Sequence, residues 1–361
     1  MGKKKILISG NEAIGEAAIR AGCLFYAGYP ITPQNELTAF MAKRMQEEGR
    51  VFIQAESEIA AINMVFGASC VGARAMTSSS SPGISLKQEG ISYLAGCELP
   101  SVIINVMRGG PGLGNIAPSQ SDYFQATKGG GHGDYHIIVL APSTVQECFD
   151  YTVLAFDLAD RYRNPVMILV DAMIAQMSEP IVITDHLNSQ FQIKKDWALT
   201  GAKNRAPHII RSLFLEEGAL EEHNLRLQKK YKKIKEKEKR FSVYNIEEAD
   251  FIFVAYGISF RIAKEAAKIL CEKNIKVGLF RPITLWPYPY DALRKVAENK
   301  KACFVFELSY GQMLEDVRLA LGETIPLYFY GRAGGGVFTE EELVNFVLKN
   351  LDKECLKNQK V

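Results

Sequence analysis

The chain has 361 residues, 47% of them hydrophobic and 23% charged, and its 43 Lys+Arg against 41 Asp+Glu leave a net charge of +2. That length suggests about two domains, with a core large enough to need no disulfide or metal staple. The balanced charge offers no global positive field for nucleic acid, so no nucleic-acid partner is expected.

No apolar run reaches the roughly 18 residues of a membrane span. MGKKKILISG lacks the apolar stretch of a signal peptide, and a cytoplasmic protein is the expectation. The seven cysteines are scattered, the closest pair, Cys70 and Cys97, being 27 residues apart. Iron–sulfur and structural zinc sites need thiolates closer in sequence, so the chain is expected to carry no metal or cluster of its own.

From Lys3 to about residue 180, apolar strands alternate with helical stretches. KKILISG reads as a buried strand and Glu12 to Ala21 as a helix. VFIQA (from Val51) is a strand, followed by helical IAAINMVFGASCVG. ARAMTSS (from Ala73), SVIINVM (from Ser101), HIIVLAP (from His136) and NPVMILVD (from Asn164) are further strands, with a helix after Ser143. This alternation predicts a parallel sheet with helices on both faces. Ligands of such sheets sit outside the C-terminal ends of the strands. The loops there are GYPITPQN, AESE, TSSSSPG and MRGGPGLGN, rich in Gly, Pro, Ser or charge.

From Thr184 to about Asn245 strands disappear, and Leu213 to Lys239 reads as one long helix. Lys229 to Arg240 holds eight positive and two negative charges. Without an interleaved aromatic stripe, this run reads as a solvated linker helix rather than a nucleic-acid or membrane patch. A second α/β unit begins near Ala249. Strands DFIFVAYG, IKVGLFRP, KACFVFE and IPLYFYG alternate with helices over Arg261 to Lys273 and Tyr310 to Leu321, and Thr339 with Glu342 forms a capping box before LVNFVLKNL. The expected division is 1–183, a linker 184–247 carrying the charged helix, and 248–361: an α/β chain with two parallel-sheet domains.

Familiar phosphate and nucleophile motifs are missing. There is no GxxxxGK[ST] and no GxSxG, and GNEAIG has the wrong glycine spacing for a dinucleotide fingerprint. Gly133-Asp134 followed by Asn164 only loosely mimics the GDG…N pattern that holds Mg²⁺ and diphosphate, because the third residue is Tyr135. Three loop residues have chemistry to offer. Glu58, where a strand hands over to a helix, is either a catalytic carboxylate or one that favours a helix N-terminus. Arg108 can fork a carboxylate or cap sheet carbonyls. Thr32, stiffened between Pro30 and Pro33, can bond a ligand or cap the next helix.

Taken together, GYPITPQNELT, FIQAESEIAAINMVFGAS, MTSSSSPGISLKQEGISYLAG, INVMRGGPGLGN and PSQSDYFQATKGGGHGDYH resemble the α subunit of the 2-oxoacid:ferredoxin oxidoreductases. The similarity is dense over about 180 N-terminal residues. It continues more loosely through GISFRIAKEAA and GLFRPITLWPYP. The block from Met107 to His132 is most similar to the 2-oxoisovalerate (3-methyl-2-oxobutanoate) type. The sister 2-oxoglutarate type has a QRxGPSTGxPT loop, with a Thr nine residues after the arginine where this chain has Ala117.

The resemblance implies a thiamine diphosphate enzyme that decarboxylates a 2-oxoacid, passes electrons to ferredoxin and forms an acyl-CoA. It implies a pyrimidine-binding first domain and a transketolase C-terminal-like second domain. Glu58 would bond the cofactor's ring nitrogen, with Glu56 the alternative two residues away. Tyr29, Pro30 and Ile31 would line the cofactor, and Thr32 and Arg108 would grip the substrate carboxylate. A β subunit with the diphosphate-binding domain would complete the site and hold Mg²⁺. The [4Fe–4S] clusters would lie in partner subunits, ferredoxin-like or γ, with the 2-oxoacid and CoA as small-molecule partners. A 2-oxoglutarate enzyme, or a non-catalytic homologue that only binds partners, is the alternative.

Overall fold

The computed structural model of the protein describes residues 5–183 and 193–358, the side chains of 352–358 excepted. Seven strands form the first sheet. From edge to edge they are Thr284–Trp286, Ile138–Leu140, Pro165–Asp171, Ser101–Met107, Ala75–Ser79, Phe25–Gly28 and Val51–Gln54. Neighbours are parallel except for the first pair, which is antiparallel. Ser101–Met107 and Pro165–Asp171 are buried at every residue, as their unbroken apolar runs require between two helical layers. Ala75–Ser79 is equally buried although it reads AMTSS, because helices and loops bring polar groups to two of its hydroxyls, Thr77 and Ser78. Tyr26 Oη lies 2.5 Å from Ser78 Oγ, and Ser78 Oγ donates to Gln34 Oε1 at 2.6 Å.

The chain runs outward from Phe25–Gly28 to Val51–Gln54, then returns across it to Ala75–Ser79. The winding therefore reverses between Phe25–Gly28 and Ala75–Ser79. Such a reversal opens a crevice at the C-terminal ends of the strands.

The second sheet has five strands, in the order Leu327–Gly331, Ala302–Glu307, Phe251–Val254, Val277–Pro282 and Phe241–Tyr244, parallel except for the last. Phe241–Tyr244 falls in the stretch expected to lack strands. Thr284–Trp286 leaves the second unit to pair with Ile138–Leu140 of the first sheet. GLFRPITLW gives no sign of that transfer, because its apolar pattern continues across Pro282. The strand expected from KKILISG is also corrected. It is a strand, but among the described residues Lys5–Ser9 pairs only with Ser178–Val182, in an antiparallel ribbon outside the two larger sheets, with Leu7 exposed. A short apolar run does not distinguish a core strand from such a ribbon.

The basic helix spans Ala219–Lys237 and is more than a solvated linker. It buries His223, Leu227, Tyr231 and Ile234, one face at helical spacing. His223 Nε2 lies 2.7 Å from the Gly96 carbonyl, and Tyr231 packs edge-on against His136 and Trp286. The capping box at Thr339 is present, each residue's backbone N–H bonding the other's side chain. Among the described residues no helix is long and apolar enough to cross a membrane.

The two sheets meet through a buried polar joint. Gln120 is fully enclosed; its Oε1 accepts from Leu308 N–H at 2.9 Å and Ser259 Oγ at 2.7 Å, and its Nε2 donates to the Tyr256 carbonyl at 2.8 Å. Asp171, at the end of its strand, accepts from Ile174 N–H at 3.0 Å and Ile258 N–H at 2.9 Å, and burial pushes its carboxyl up to about 6. Gly257 passes between them with φ +55, where a Cβ would lie 2.5 Å from Asp171 Oδ2 and 2.7 Å from Gln120 Nε2. Gln120→Leu keeps a side chain of similar size but orphans two buried donors, Leu308 N–H and Ser259 Oγ, while the Tyr256 carbonyl keeps the Phe260 N–H at 3.2 Å. It should destabilise the chain by about 3 kcal/mol, on the scale of 1–3 for each group left unpaired. An unchanged urea midpoint would show that the joint contributes nothing.

Candidate functional site

Four loops converge at the C-terminal edge of the first sheet. The loop after Phe25–Gly28 is braced from within by Gln34, which is fully buried. Its Nε2 donates to the Tyr29 carbonyl at 3.2 Å, and its Oε1 accepts from Thr38 and Ser78. Tyr29 and Pro30 stay exposed, and Ile31 and Thr32 are half-buried. Thr32 Oγ1 accepts from the Asn35 side-chain amide at 3.0 Å. The following helix, Asn35–Glu47, has no side-chain cap, so the hydroxyl does not serve as one.

Arg108 reaches across to that loop. Its Nη1 donates to the Thr32 carbonyl at 2.9 Å and its Nη2 to the Leu113 carbonyl at 3.0 Å. The guanidinium is thus partly engaged in holding two loops, and its buried Nε–H has no partner among the described residues. The backbone of Arg108 is fixed by Ser81 Oγ at 3.0 Å, which in turn donates to Asp122 at 2.6 Å. Asn105 also donates to Asp122, whose carboxyl burial pushes up from its ordinary value. Thr32 and Arg108 are therefore brought together, 76 positions apart in sequence.

Glu58 opens the helix Glu58–Cys70. Ser57, not Glu58, caps it, accepting from Ala60 N–H at 3.1 Å. Glu58 is 6% exposed, whereas Glu56 lies on the surface. The burial has a local cause. Helix Ser81–Gly96 packs on Glu58–Cys70, and Gly83 brings its backbone against the carboxylate; a Cβ there would overlap Ser79 Oγ and come within 2.6 Å of Glu58 Oε1. Among the described residues the Glu58 carboxylate takes no hydrogen bond, and the buried hydroxyls of Ser79 and Ser80 have no partner.

Two further residues escaped the reading of loops. Lys87 is fully enclosed beneath Glu58, and Gln120 anchors the loop that follows Arg108. Lys87 leaves a trace in the sequence: with Ile84, Ile91 and Leu94 it occupies the apolar stripe of its helix, where a cation needs a reason. Ala117 packs against the second unit. A Cβ on Gly335 of the second unit would come within 2.6 Å of its methyl, and its carbonyl accepts from Gly109 N–H at 2.9 Å.

Two cavities lie apart from these residues. One, of about 550 Å³, is lined by Val243, Asn245 to Ala249, Cys271, Lys276 and Val277, and the other, of about 530 Å³, surrounds Trp286 and Tyr288. Neither includes Glu58, Thr32 or Arg108. Among the described residues no three His, Cys, Asp or Glu side chains converge as a metal site.

Comparison with known proteins places this geometry in context. Residues 16–245 match the family described as pyruvate flavodoxin/ferredoxin oxidoreductase, thiamine diphosphate-binding. Residues 249–343 match pyruvate:ferredoxin oxidoreductase core domain II. The ketoisovalerate oxidoreductase subunit VorB of Methanothermobacter marburgensis is 50% identical over 316 residues, covering 88% of this chain and 90% of that one. The 2-oxoglutarate synthase subunit KorA of Methanothermobacter thermautotrophicus is 37% identical, covering 96% and 99%. The structure of 2-oxoglutarate:ferredoxin oxidoreductase from Magnetococcus marinus superposes with a TM-score of 0.87 at 30% identity, covering 96% of this chain and 65% of that one. A split-gene transketolase shares the fold, with a TM-score of 0.60 at 18% identity.

The close approach at Gly83 can be checked directly. Gly83→Ala should leave the helix intact, since alanine is the better helix former by about 1 kcal/mol, yet push the Glu58 carboxylate and Ser79 apart. A crystal structure of the variant with Glu58 unmoved would contradict this.

Proposed function

The chain belongs to the 2-oxoacid:ferredoxin oxidoreductase family, and on that premise we propose that it is the subunit supplying the pyrimidine-side half of a thiamine diphosphate site. The reaction is the oxidative decarboxylation of a branched-chain 2-oxoacid, most simply 2-oxoisovalerate, to its acyl-CoA and CO₂, with electrons passing to ferredoxin. The observation that carries this reading is the buried Glu58 carboxylate at the reversal point of the sheet, without a hydrogen-bond donor from the described chain.

A carboxylate in that state suits a protonated ring nitrogen, and the unpartnered Ser79 and Ser80 hydroxyls add polar capacity beside it. Thiamine diphosphate, when bound, supplies an acidic thiazolium carbon and a sink for the electron pair that decarboxylation leaves behind. Glu58 would hold the proton at the pyrimidine ring nitrogen, a positioned acid–base role. The exposed Glu56 is poorly placed for it, because water competes for a surface carboxylate. Tyr29, Pro30 and Ile31, on the loop that Gln34 braces, would form one wall against the cofactor.

Arg108 and Thr32 would receive the carboxylate of the 2-oxoacid. The Nε–H of Arg108 is not used by the described chain, and the contact to Thr32 sets the guanidinium beside the hydroxyl-bearing loop. We assign the grip on the diphosphate, its Mg²⁺ and the [4Fe–4S] clusters to partner subunits: a β subunit and a ferredoxin-like or γ subunit. The C-terminal edge of the first sheet is the face such a β subunit would cover. We expect the complex to work in the cytoplasm.

The substrate reading rests on the relatives' names, 50% identity to a ketoisovalerate oxidoreductase subunit against 37% to a 2-oxoglutarate synthase subunit. A pocket without a partner for the second carboxylate of 2-oxoglutarate must bury that charge unpaired, which is costly. The test is the co-expressed complex, assayed with CoA and a viologen dye on pyruvate, 2-oxoglutarate and 2-oxoisovalerate. The kcat/KM for 2-oxoisovalerate should exceed that for 2-oxoglutarate at least about tenfold, the equivalent of roughly 1.4 kcal/mol. A higher value for 2-oxoglutarate moves the chain to the sister type, and no turnover with any 2-oxoacid leaves a partner-binding homologue.

A further inference from the structure

Lys87 has no solvent-exposed surface. Its Nζ donates to Thr77 Oγ1 at 2.9 Å and to the backbone carbonyl of Glu58 at 3.4 Å, both neutral acceptors. An enclosed ammonium ordinarily finds a carboxylate partner or is replaced by an apolar side chain. Here it is retained in the layer beneath the Glu58 turn. Four residues earlier on the same helix, Gly83 touches the Glu58 carboxylate from the side. One face of helix Ser81–Gly96 therefore meets Glu58 twice, with a bare backbone against its carboxylate and a cation against its backbone.

We propose that Lys87 is a positioning residue for Glu58. Its ammonium, locked between Thr77 and the Glu58 carbonyl, provides a positive field behind the carboxylate and biases the proton shared with the cofactor toward the ring nitrogen. This rests on the reading that Glu58 faces the aminopyrimidine. The field favours the negative carboxylate because the cation stands on the protein side of the contact, nearer to Glu58 than to a ring bound beyond it. Thr77 and the Glu58 carbonyl set the position of the charge, and Gly83 and Ser79 set that of the carboxylate.

The same burial makes the charge conditional. Desolvation pushes the Lys87 ammonium down to about 7, and the negative charge of Glu58 acts in the opposite direction. Helix Ser81–Gly96 packs against helix Glu58–Cys70 and strands Ser101–Met107 and Pro165–Asp171. The titratable groups on those three elements are Glu58, Cys70 and Asp171, and of them Glu58 is the one that acts on Lys87. Asp122 lies on the Ser81 side of the same helix, bonded to Ser81 and Asn105. Activation of the cofactor should therefore weaken as pH rises through the Lys87 midpoint, a limb that a purely structural lysine would not create.

The linkage can be read without cofactor. In the full chain labelled with ¹³Cε-lysine, one resonance, absent from Lys87→Met, should titrate near pH 7. In Glu58→Gln its midpoint should fall by at least about half a unit, because the attraction that holds the proton on Lys87 is gone. A midpoint above 9, or one that Glu58→Gln leaves in place, overturns the proposal whatever the cofactor does. In the thiamine-loaded complex, cofactor C2-proton exchange at pH 6 should slow at least tenfold in Lys87→Met, and its fall at alkaline pH should vanish. Lys87→Arg, which keeps a charge at all these pH values, should retain exchange but lose the alkaline fall. Exchange in Lys87→Met with the wild-type rate and pH profile overturns the role of Lys87 while leaving that of Glu58 standing.

Discussion

The candidate site depends on one buried amide. Gln120 sits at the end of the loop that begins with Arg108, and it meets three groups of the second unit, at Tyr256, Ser259 and Leu308. The loop from Gly109 to Pro118 has many glycines and little packing of its own. Tied at Gln120, and again where Asn115 donates to the Gly334 carbonyl at 2.8 Å, it becomes part of a wall. Arg108 is then held in register with Thr32. The second unit, which contributes no proposed catalytic side chain, thus acts on the site by clamping its most mobile kind of segment. Buried polar joints of this kind stabilise only when every member is satisfied, which explains why Gly257 passes so close and why Asp171 keeps its carboxyl between two backbone N–H groups.

A second constraint acts on the opposite side of the crevice. Glu58 is buried where a glycine backbone approaches its carboxylate. A bare backbone at Gly83 lies against the carboxylate without offering it a hydrogen bond, so its donor must come from elsewhere. Helix Ser81–Gly96 serves both sides: Gly83 and Lys87 face Glu58, while Ser81 fixes the backbone of Arg108. One helix therefore sets the separation between the proposed cofactor-side and substrate-side groups.

Much of this was legible in the sequence. Period and composition were enough for the parallel sheets, because runs such as SVIINVM and PVMILVD tolerate water on neither face. Loop chemistry pointed to Thr32, Glu58 and Arg108, and the structure brings the first and last into contact. What stayed hidden has physical reasons. Burial separates Glu58 from Glu56, and the backbone that closes on the Glu58 carboxylate is Gly83, 25 residues away. Lys87 reads as an ordinary surface lysine unless its place on the apolar stripe is counted. The transfer of Thr284–Trp286 to the first sheet, the strand Phe241–Tyr244 and the ribbon of Lys5–Ser9 are matters of tertiary pairing, which local pattern does not encode.

The most direct test follows the proton rather than the product. In the complex loaded with thiamine diphosphate, NMR can measure exchange of the cofactor's C2 proton in wild type, Glu58→Gln and Glu56→Gln. Glu58→Gln keeps the size of the side chain and its place in the first helical turn but removes the carboxylate. Exchange should fall by about 10²–10⁴ in Glu58→Gln, the range of a positioned acid–base group, and stay near wild type in Glu56→Gln. Fast exchange in Glu58→Gln with slow exchange in Glu56→Gln would place the activating carboxylate two residues away. Fast exchange in both would remove this loop from the chemistry.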